Sequence, residues 1–315
     1  MGNSDLGPVG ELTGEPGSPP PQGPLGSLET GIKPLDELLG GLRQGLCLLI
    51  GSPSCGKTTL LNQLADQVAL FNSVPVLFFS YQHSFRELRV KTLSRMSKVP
   101  TDAIAEGMTQ QVVEEKLTGQ LRRLWEYVDK ANRELEKWIH HVRTIEADGG
   151  TTVGRIQIEA EAALRETRAA HALIAIDPLE AVPLGHSPLS REERLATVCA
   201  ELRRVSRALD CPVVATVGIS HDQYKGNRLP SLGSLRDRGG IEHLADAVMA
   251  LWEDQNASRK TAREIPGSRA VDLLLLKNRH GALGRLRMQY NPALASFSDA
   301  VRDSQPYDRF DAMQG

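Results

Sequence analysis

An α/β fold with a mainly parallel sheet is predicted by three observations. Short apolar runs, LCLLI at 46–50, VPVLFFS at 74–80, ALIAID at 172–177 and PVVATVG at 212–218, alternate with longer stretches of helical character. Strands that alternate with helices build βαβ units, whose crossovers make the strands parallel. The first run leads directly into Gly51-Ser-Pro-Ser-Cys-Gly56-Lys57-Thr58, a glycine-bounded loop that opens a helix. Three further strand-like segments, ADAVMALWE (245–253), AVDLLLLKN (270–278) and GRLRMQYN (284–291), follow with little room for helices between them. That end of the sheet is expected to be antiparallel.

Residues 1–29 hold seven glycines and six prolines with almost nothing apolar to bury, and are expected to form a disordered arm. The folded domain is expected over 30–298, with a polar, loosely held tail over 299–315. Between Gln110 and His140 the residues Val113, Leu117, Leu121, Leu124, Val128, Ala131, Leu135 and Trp138 recur at spacings of three and four, which predicts one long amphipathic helix. Its stripe packs on the domain's own sheet or serves as a subunit contact. The pair His140-His141 ends that helix, where a cation is mildly favourable, and makes no metal site without further ligands.

Composition narrows the function. The chain has 315 residues, is 40% hydrophobic and carries a net charge of −2, so a core of ordinary size forms and no global basic field announces a polyanionic partner. A nucleic-acid surface must therefore be local. Cys47, Cys55, Cys199 and Cys211 make neither a CxxC pair nor a cluster with histidines, which speaks against structural zinc and a disulfide framework. Without a basic-then-apolar leader or a membrane-length apolar run, a cytoplasmic location off the membrane is expected.

The loop at 51–58 is a full match to GxxxxGK[ST] with a strand before it and a helix after it. Gly51 and Gly56 let the backbone curl so that its N–H groups point at phosphate oxygens, and the helix N-terminus adds a favourable dipole. Gly51, Ser52, Ser54, Cys55, Gly56, Lys57, Thr58 and Thr59 are the candidate nucleotide contacts. Lys57 reaches the β and γ phosphates of ATP, and the Thr58 hydroxyl is a ligand for Mg2+. The partner should be an acid at the end of a neighbouring buried strand, and Asp177, after Leu173-Ile174-Ala175-Ile176, fits that requirement.

With these residues placed, the chain resembles the RecA-like ATPase domain of replicative helicases of the DnaB type, superfamily 4, over about Thr30 to Asp299. TGIKPLDELLGGLRQG (30–45) is similar to the family's lead into its phosphate loop, and VLFFSYQHSFRELRVKTLSRMS (76–97) to its second strand and following helix. LGSLRDRGGIEHLADAVM (232–249) resembles the loop that tracks single-stranded DNA, and KNRHGALG (277–284) the hairpin that presents a lysine and an arginine finger to a neighbouring subunit. The resemblance implies a RecA-like P-loop NTPase that binds Mg-ATP and acts as a homo-oligomer, ring or helical, with a replication or repair protein as a possible partner. It implies that Lys277 and Arg279 complete the adjacent protomer's ATP site. It also implies that Arg228, Arg236 and Arg238, with the backbone of Gly239 and Gly240, grip phosphates of a single strand through charge and shape.

Three positions depart from the family's pattern. Gln82 stands where the family has a glutamate that polarises the attacking water, and an amide takes no proton; losing a positioned base costs about 10² to 10⁴ in rate. Glu180 stands where a glutamine is common, three residues after the magnesium aspartate. Val217-Gly218 replaces a Ser-Gln pair whose amide senses the γ phosphate. The family's amino-terminal domain and linker helix have no expected counterpart. Two readings follow: a helicase or translocase in which Glu180 supplies the carboxylate, or a regulatory ATP-binding switch with little turnover in which Glu180 is a solvated loop residue. A DNA-repair ATPase of the RadA type is disfavoured because no cysteine-rich module is present. His83 either touches the site or caps the strand end.

Overall fold

The computed structural model describes residues 27–110, 119–185, 189–219, 228–264, 267–299 and 305–306. Strands β1 (Gly45–Gly51), β2 (Val76–Ser80), β3 (Val142–Glu146), β4 (Leu173–Asp177), β5 (Pro212–Gly218), β6 (Ala247–Glu253), β7 (Arg269–Asn278), β8 (Gly284–Asn291), β9 (Ser296–Asp299) and β10 (Gln305–Pro306) form one sheet. Its order is β10-β8-β7-β6-β1-β5-β4-β2-β3, with β9 also paired to β8. From β3 to β6 every pairing is parallel, and from β6 through β7 and β8 to β10 every pairing is antiparallel.

Helices cover both faces of the parallel part. The layer of α1 (Lys33–Leu39), α2 (Lys57–Asn72), α3 (Phe85–Ser97), α4 (Thr101–Gln110) and α5 (Gly119–Glu136) packs on the side to which Cys47 and Leu49 of β1 point. On the other side, reached by Leu46, Leu48 and Ile50, lie α6 (Val153–Thr167), α7 (Arg191–Leu209) and α8 (Ile241–Leu244). Every residue of β1 is buried, which is why it reads as an unbroken apolar run. In β8 buried and half-buried residues alternate, so the polar-apolar alternation of GRLRMQYN reports a sheet with one covered face.

Several expectations are corrected. Helix α5 ends at Glu136, Trp138 precedes a 3₁₀ turn at Ile139–His141, and that turn, which holds His140-His141, feeds straight into β3. The chain has to turn there because the edge strand starts at Val142. Val128, Ala131, Leu135 and Trp138 of the apolar stripe are buried in the domain's own core, while Val113 and Leu117 lie outside the described residues. Between β6 and β7 a helix, α9 (Gln255–Glu264), does fit, started by Asp254, whose Oδ1 accepts the N–H groups of Asn256 and Ala257 at 3.0 Å each. Ser258 docks it on β7 by donating to and accepting from the backbone of Ala270. The packed body reaches back past Thr30: Leu28 is buried, and its backbone bridges Leu42 in both directions at 2.7 Å. In the expected tail, Gln305–Pro306 pairs with Arg285 and Gly284 of β8.

Candidate nucleotide-binding site

Strand β1 has parallel neighbours on both sides, β5 and β6, so its carboxyl end opens on a crevice of the kind in which α/β sheets bind ligands. The loop after it is built for close approach. Gly56 holds φ 100°, a left-handed conformation, and a Cβ there would come within 2.7 Å of the Phe297 ring, so only glycine fits. Helix α2 then begins at Lys57, whose ammonium donates to the carbonyls of Gly51 (2.9 Å) and Ser52 (2.8 Å).

An open cleft of about 710 Å³ faces this loop and is lined by Lys57, Thr58, Gln82, Asp177 and Glu180 among others. Asp177 ends β4 and is only 2% exposed. Its Oδ1 accepts the Thr216 hydroxyl at 2.5 Å, whereas its Oδ2 is buried with no hydrogen-bond partner. A buried carboxylate oxygen without a donor is costly unless a cation or water satisfies it, so the donor set of Thr58 and Asp177 suits a hard cation. Among the described residues no cluster of three or more His, Cys, Asp or Glu could hold a metal by itself.

Gln82 follows β2 and is exposed at the cleft, next to His83. His83 plays both of the roles considered for it. Its backbone N–H donates to the Ser80 hydroxyl (3.0 Å), which donates in turn to the His83 carbonyl (2.6 Å), closing the strand end, and the residue also lines the cleft. A capping box between Ser84 and Glu87 then starts α3. Glu180 sits in a short 3₁₀ turn, Leu179–Ala181, and its Oε1 accepts the Gly218 N–H at 2.8 Å and lies 3.6 Å from Nη1 of Arg238. Its Oε2 is buried without a partner. Glu180 is therefore anchored, not a freely solvated loop residue.

Lys277 and Arg279 are elsewhere. Strand β7 is antiparallel to β6, so Arg269 at its start lies at the cleft and Asn278 at its end lies at the opposite edge of the sheet, roughly 30 Å away by strand rise. There Lys277 donates to the Glu242 carbonyl at 2.6 Å, and Arg279 donates to the His243 carbonyl at 3.0 Å. Burial, then the Arg279 charge, lowers the Lys277 ammonium below the usual lysine value. Arg279 also lies 3.5 Å from Asp246. Of the candidate strand contacts, Arg228 and Arg236 are exposed, Gly239 and Gly240 hold positive φ, and Arg238 is turned inward.

Lys91, Arg191, Arg269 and Tyr290 are among the cleft residues that local sequence does not mark. Lys91 projects from α3, where burial lowers its ammonium while Glu87 and Asp177 act in the opposite sense. Tyr290 stacks on Phe297, centroids 4.4 Å apart, and Arg269 is its cross-strand partner. The aromatic pair packs against Gly56, and Tyr290 of the pair lines the cleft. Only the alternation of β8 hinted at Tyr290, and nothing local marked Lys91. All four cysteines are buried and unpaired, with burial pushing Cys47 and Cys199 up to about 12, so they are poor ligands and nucleophiles.

A strand, a glycine loop and a helix N-terminus that face a strand-end aspartate across a parallel sheet define a RecA-like P-loop NTPase. Residues 27–299 match the DnaB-like helicase C terminal domain, and the chain belongs to that family. It is 24% identical over 281 residues to the replicative DNA helicase DnaB of Leifsonia xyli subsp. xyli, covering 88% of this chain and 57% of that protein. Against the DnaB of Treponema pallidum it is 25% identical over 281 residues, covering 88% and 57%. It thus spans little more than half the length of these relatives. Among solved structures, the ATPase domain of G40P superposes with a TM-score of 0.74 at 19% identity, covering 86% of this chain and 90% of that one. A DnaB-like replicative helicase, solved with attention to its interactions with primase, gives 0.74 at 19%, covering 86% and 61%. Among the described residues, no helix is long and apolar enough to cross a membrane.

Proposed function

We propose that the chain is a magnesium-dependent ATPase that works as a homo-oligomer on single-stranded DNA, as a helicase or translocase of the DnaB type. The observation that carries this reading is one cleft that joins the Lys57-Thr58 loop to Asp177, whose Oδ2 is buried and unsatisfied. Loop N–H groups and the start of α2 bind the phosphates, and Lys57 exchanges its loop carbonyls for phosphate oxygens. Thr58 and Asp177 would hold Mg2+, which supplies charge neutralisation and orientation at the phosphates. Tyr290 and Arg269 offer an aromatic face and a guanidinium to the base. Lys91 reaches the terminal phosphate from α3. Replacing it, Lys91→Met, is expected to weaken a non-hydrolysable ATP analogue about tenfold while ADP changes far less, by fluorescent-nucleotide titration. Equal losses for both ligands would remove that assignment.

Gln82 accepts no proton, so the carboxylate must come from Glu180, whose Oε1 is anchored and whose Oε2 is unpartnered. Lys277 and Arg279, at the far edge of the sheet, serve the nucleotide of a neighbouring subunit. Arg228 and Arg236, both exposed, meet DNA phosphates, and a replication or repair protein is a further partner. The specific residue that favours a second reading is Gln82 itself: with no competent base the protein is a nucleotide-dependent switch with little turnover. Magnesium-dependent phosphate release with and without single-stranded DNA, on the wild type beside Gln82→Glu and Glu180→Gln, separates the two. The ATPase reading predicts DNA-stimulated turnover that falls about 10²-fold or more in Glu180→Gln. Negligible wild-type turnover that Gln82→Glu restores would leave the switch.

A further inference from the structure

Two of the three departures from the family's pattern meet in space. Gly218 N–H donates to Glu180 Oε1 at 2.8 Å, and the same oxygen lies 3.6 Å from the Arg238 guanidinium. A Cβ at position 218 would sit 3.4 Å from Glu180 Oε1 and 3.9 Å from Arg238 Nη2. Carboxylate and guanidinium therefore face the room into which a longer side chain at 218 would project. Both side chains are mostly buried, at 15% and 17% exposure, where a charge pair is less screened than at the surface.

Arg238 differs from the other arginines of its segment. Arg228 and Arg236 are exposed, as strand contacts need to be, whereas Arg238 is the last residue of the 3₁₀ turn Leu232–Arg238 and is turned inward toward Glu180. Past it come Gly239 (φ 73°) and Gly240 (φ 69°), with Gly239 set so closely on the Glu192 carbonyl that a Cβ would collide with it. The turn's exit is pinned to the first turn of α7 and its end is held by one ion pair. Glu180 reaches the other way too, since it lines the cleft with Lys57 and Thr58.

We infer that Glu180 and Arg238 form a charged link through which nucleotide in the cleft sets the grip of the Leu232–Arg238 turn on single-stranded DNA, with Arg238 acting as a positioning residue and not as a strand contact. The inference rests on the function proposed above. A triphosphate brings more negative charge to the cleft than a diphosphate. It repels the Glu180 carboxylate and competes for the Arg238 guanidinium, which loosens the pair and releases the turn to close on the strand. Coupling of this kind is reciprocal, so DNA must raise triphosphate affinity by the same factor.

The test is the affinity of a labelled oligothymidylate, by fluorescence anisotropy, at saturating ADP and at a saturating non-hydrolysable ATP analogue, so that turnover plays no part. The wild type is expected to bind DNA about fivefold or more tightly with the analogue. Glu180→Gln keeps an acceptor for the Gly218 N–H and loses the charge, and Arg238→Met loses the guanidinium. In each, and in the double variant, the two DNA affinities are expected to agree within about twofold, while Arg238→Lys keeps most of the difference. Full coupling in Glu180→Gln overturns the link. So does a loss of DNA affinity in Arg238→Met that is equal in both nucleotide states, since it makes Arg238 a strand contact. A wild type that binds both ligands without coupling overturns the link and leaves the proposed function standing. A wild type that binds neither, and that Lys57→Ala does not change, overturns both.

Discussion

Subunits carrying Lys57→Ala, mixed with subunits carrying Arg279→Ala, are expected to regain ATP turnover that neither variant has alone. The reason is the position of the hairpin. Arg279 follows β7 at the edge of the sheet opposite the cleft, so within one chain it lies too far from Lys57 to share a phosphate. Its side chain is 39% exposed and is held by the His243 carbonyl and by Asp246, which leaves it presented outward. Asp246 is itself kept ionised. Burial opposes its charge, but Arg203, the Leu46 N–H and Arg279 outweigh burial and hold the carboxyl below its usual value. An arginine supplied in trans is worth about 10³ to 10⁵ in rate, so Arg279→Ala alone is expected to lower turnover at least about 10³-fold with ATP binding intact. Lys57→Ala removes nucleotide binding in its own subunit. At equal mixing about one quarter of the interfaces of a cyclic assembly pair an intact loop with an intact arginine, and turnover should recover toward that fraction. A mixture no more active than its components, or full turnover in Arg279→Ala, would show that the hairpin serves its own chain only.

The parallel half of the sheet was legible because of where it lies. Strands β1, β4 and β5 are covered on both faces, so burial demands apolar residues at every position and the runs stand out. Strand β3 has the pattern VRTIE at the sheet edge with no residue fully buried, and so left no apolar run to find. Strand β9 is held by α2: Gln63 donates to the Phe297 carbonyl (2.9 Å) and accepts its N–H (2.8 Å). That is a contact between distant segments which no local pattern encodes. Helix α9 was missed for a related reason, since its sequence is almost wholly polar and its docking rests on Ser258 and the cap at Asp254.

The site divides in the same way. The glycine loop and Asp177 were legible because phosphate chemistry fixes their types and spacing within a few residues of a strand end. Gln82 and Glu180 could be named as departures, and both do reach the cleft. What spacing could not supply was the company they keep. The partners of Glu180 come from the end of β5 and from a turn before β6, and Lys91, Arg269 and Tyr290 enter the cleft from three further elements. The family resemblance implied strand contacts at Arg228, Arg236 and Arg238 alike, and only the packed structure sets Arg238 apart.

Arg95→Ala is expected to destabilise the protein by about 3 to 5 kcal/mol, a fall in Tm on the order of 10 °C for a domain of this size. Arg95 on α3 forms an ion pair with Asp66 on α2 and also donates to the Ala295 carbonyl at 3.0 Å and to Asn62 Oδ1 at 3.3 Å. The pair ties together the loop-bearing helix, the helix that carries Lys91 and the turn before β9. Both side chains are nearly buried, at 11% and 7% exposure, and Thr92 gives Asp66 a second donor at 2.7 Å. Burial raises the Asp66 carboxyl above its usual value despite the arginine, so desolvation outweighs the attraction. The large cost of Arg95→Ala is therefore the cost of an uncompensated carboxylate left inside. Because the raised carboxyl binds its proton more readily when folded, the variant's deficit should shrink as pH falls through the carboxylate range. Removing both charges, Asp66→Asn with Arg95→Met, is expected to cost much less than Arg95→Ala, because the amide keeps the Thr92 contact and no charge is stranded. Thermal melts of the three proteins between pH 5 and pH 8 decide it, and a double variant as unstable as Arg95→Ala would mean that the Ala295 and Asn62 contacts, and not the charge balance, hold the two helices together.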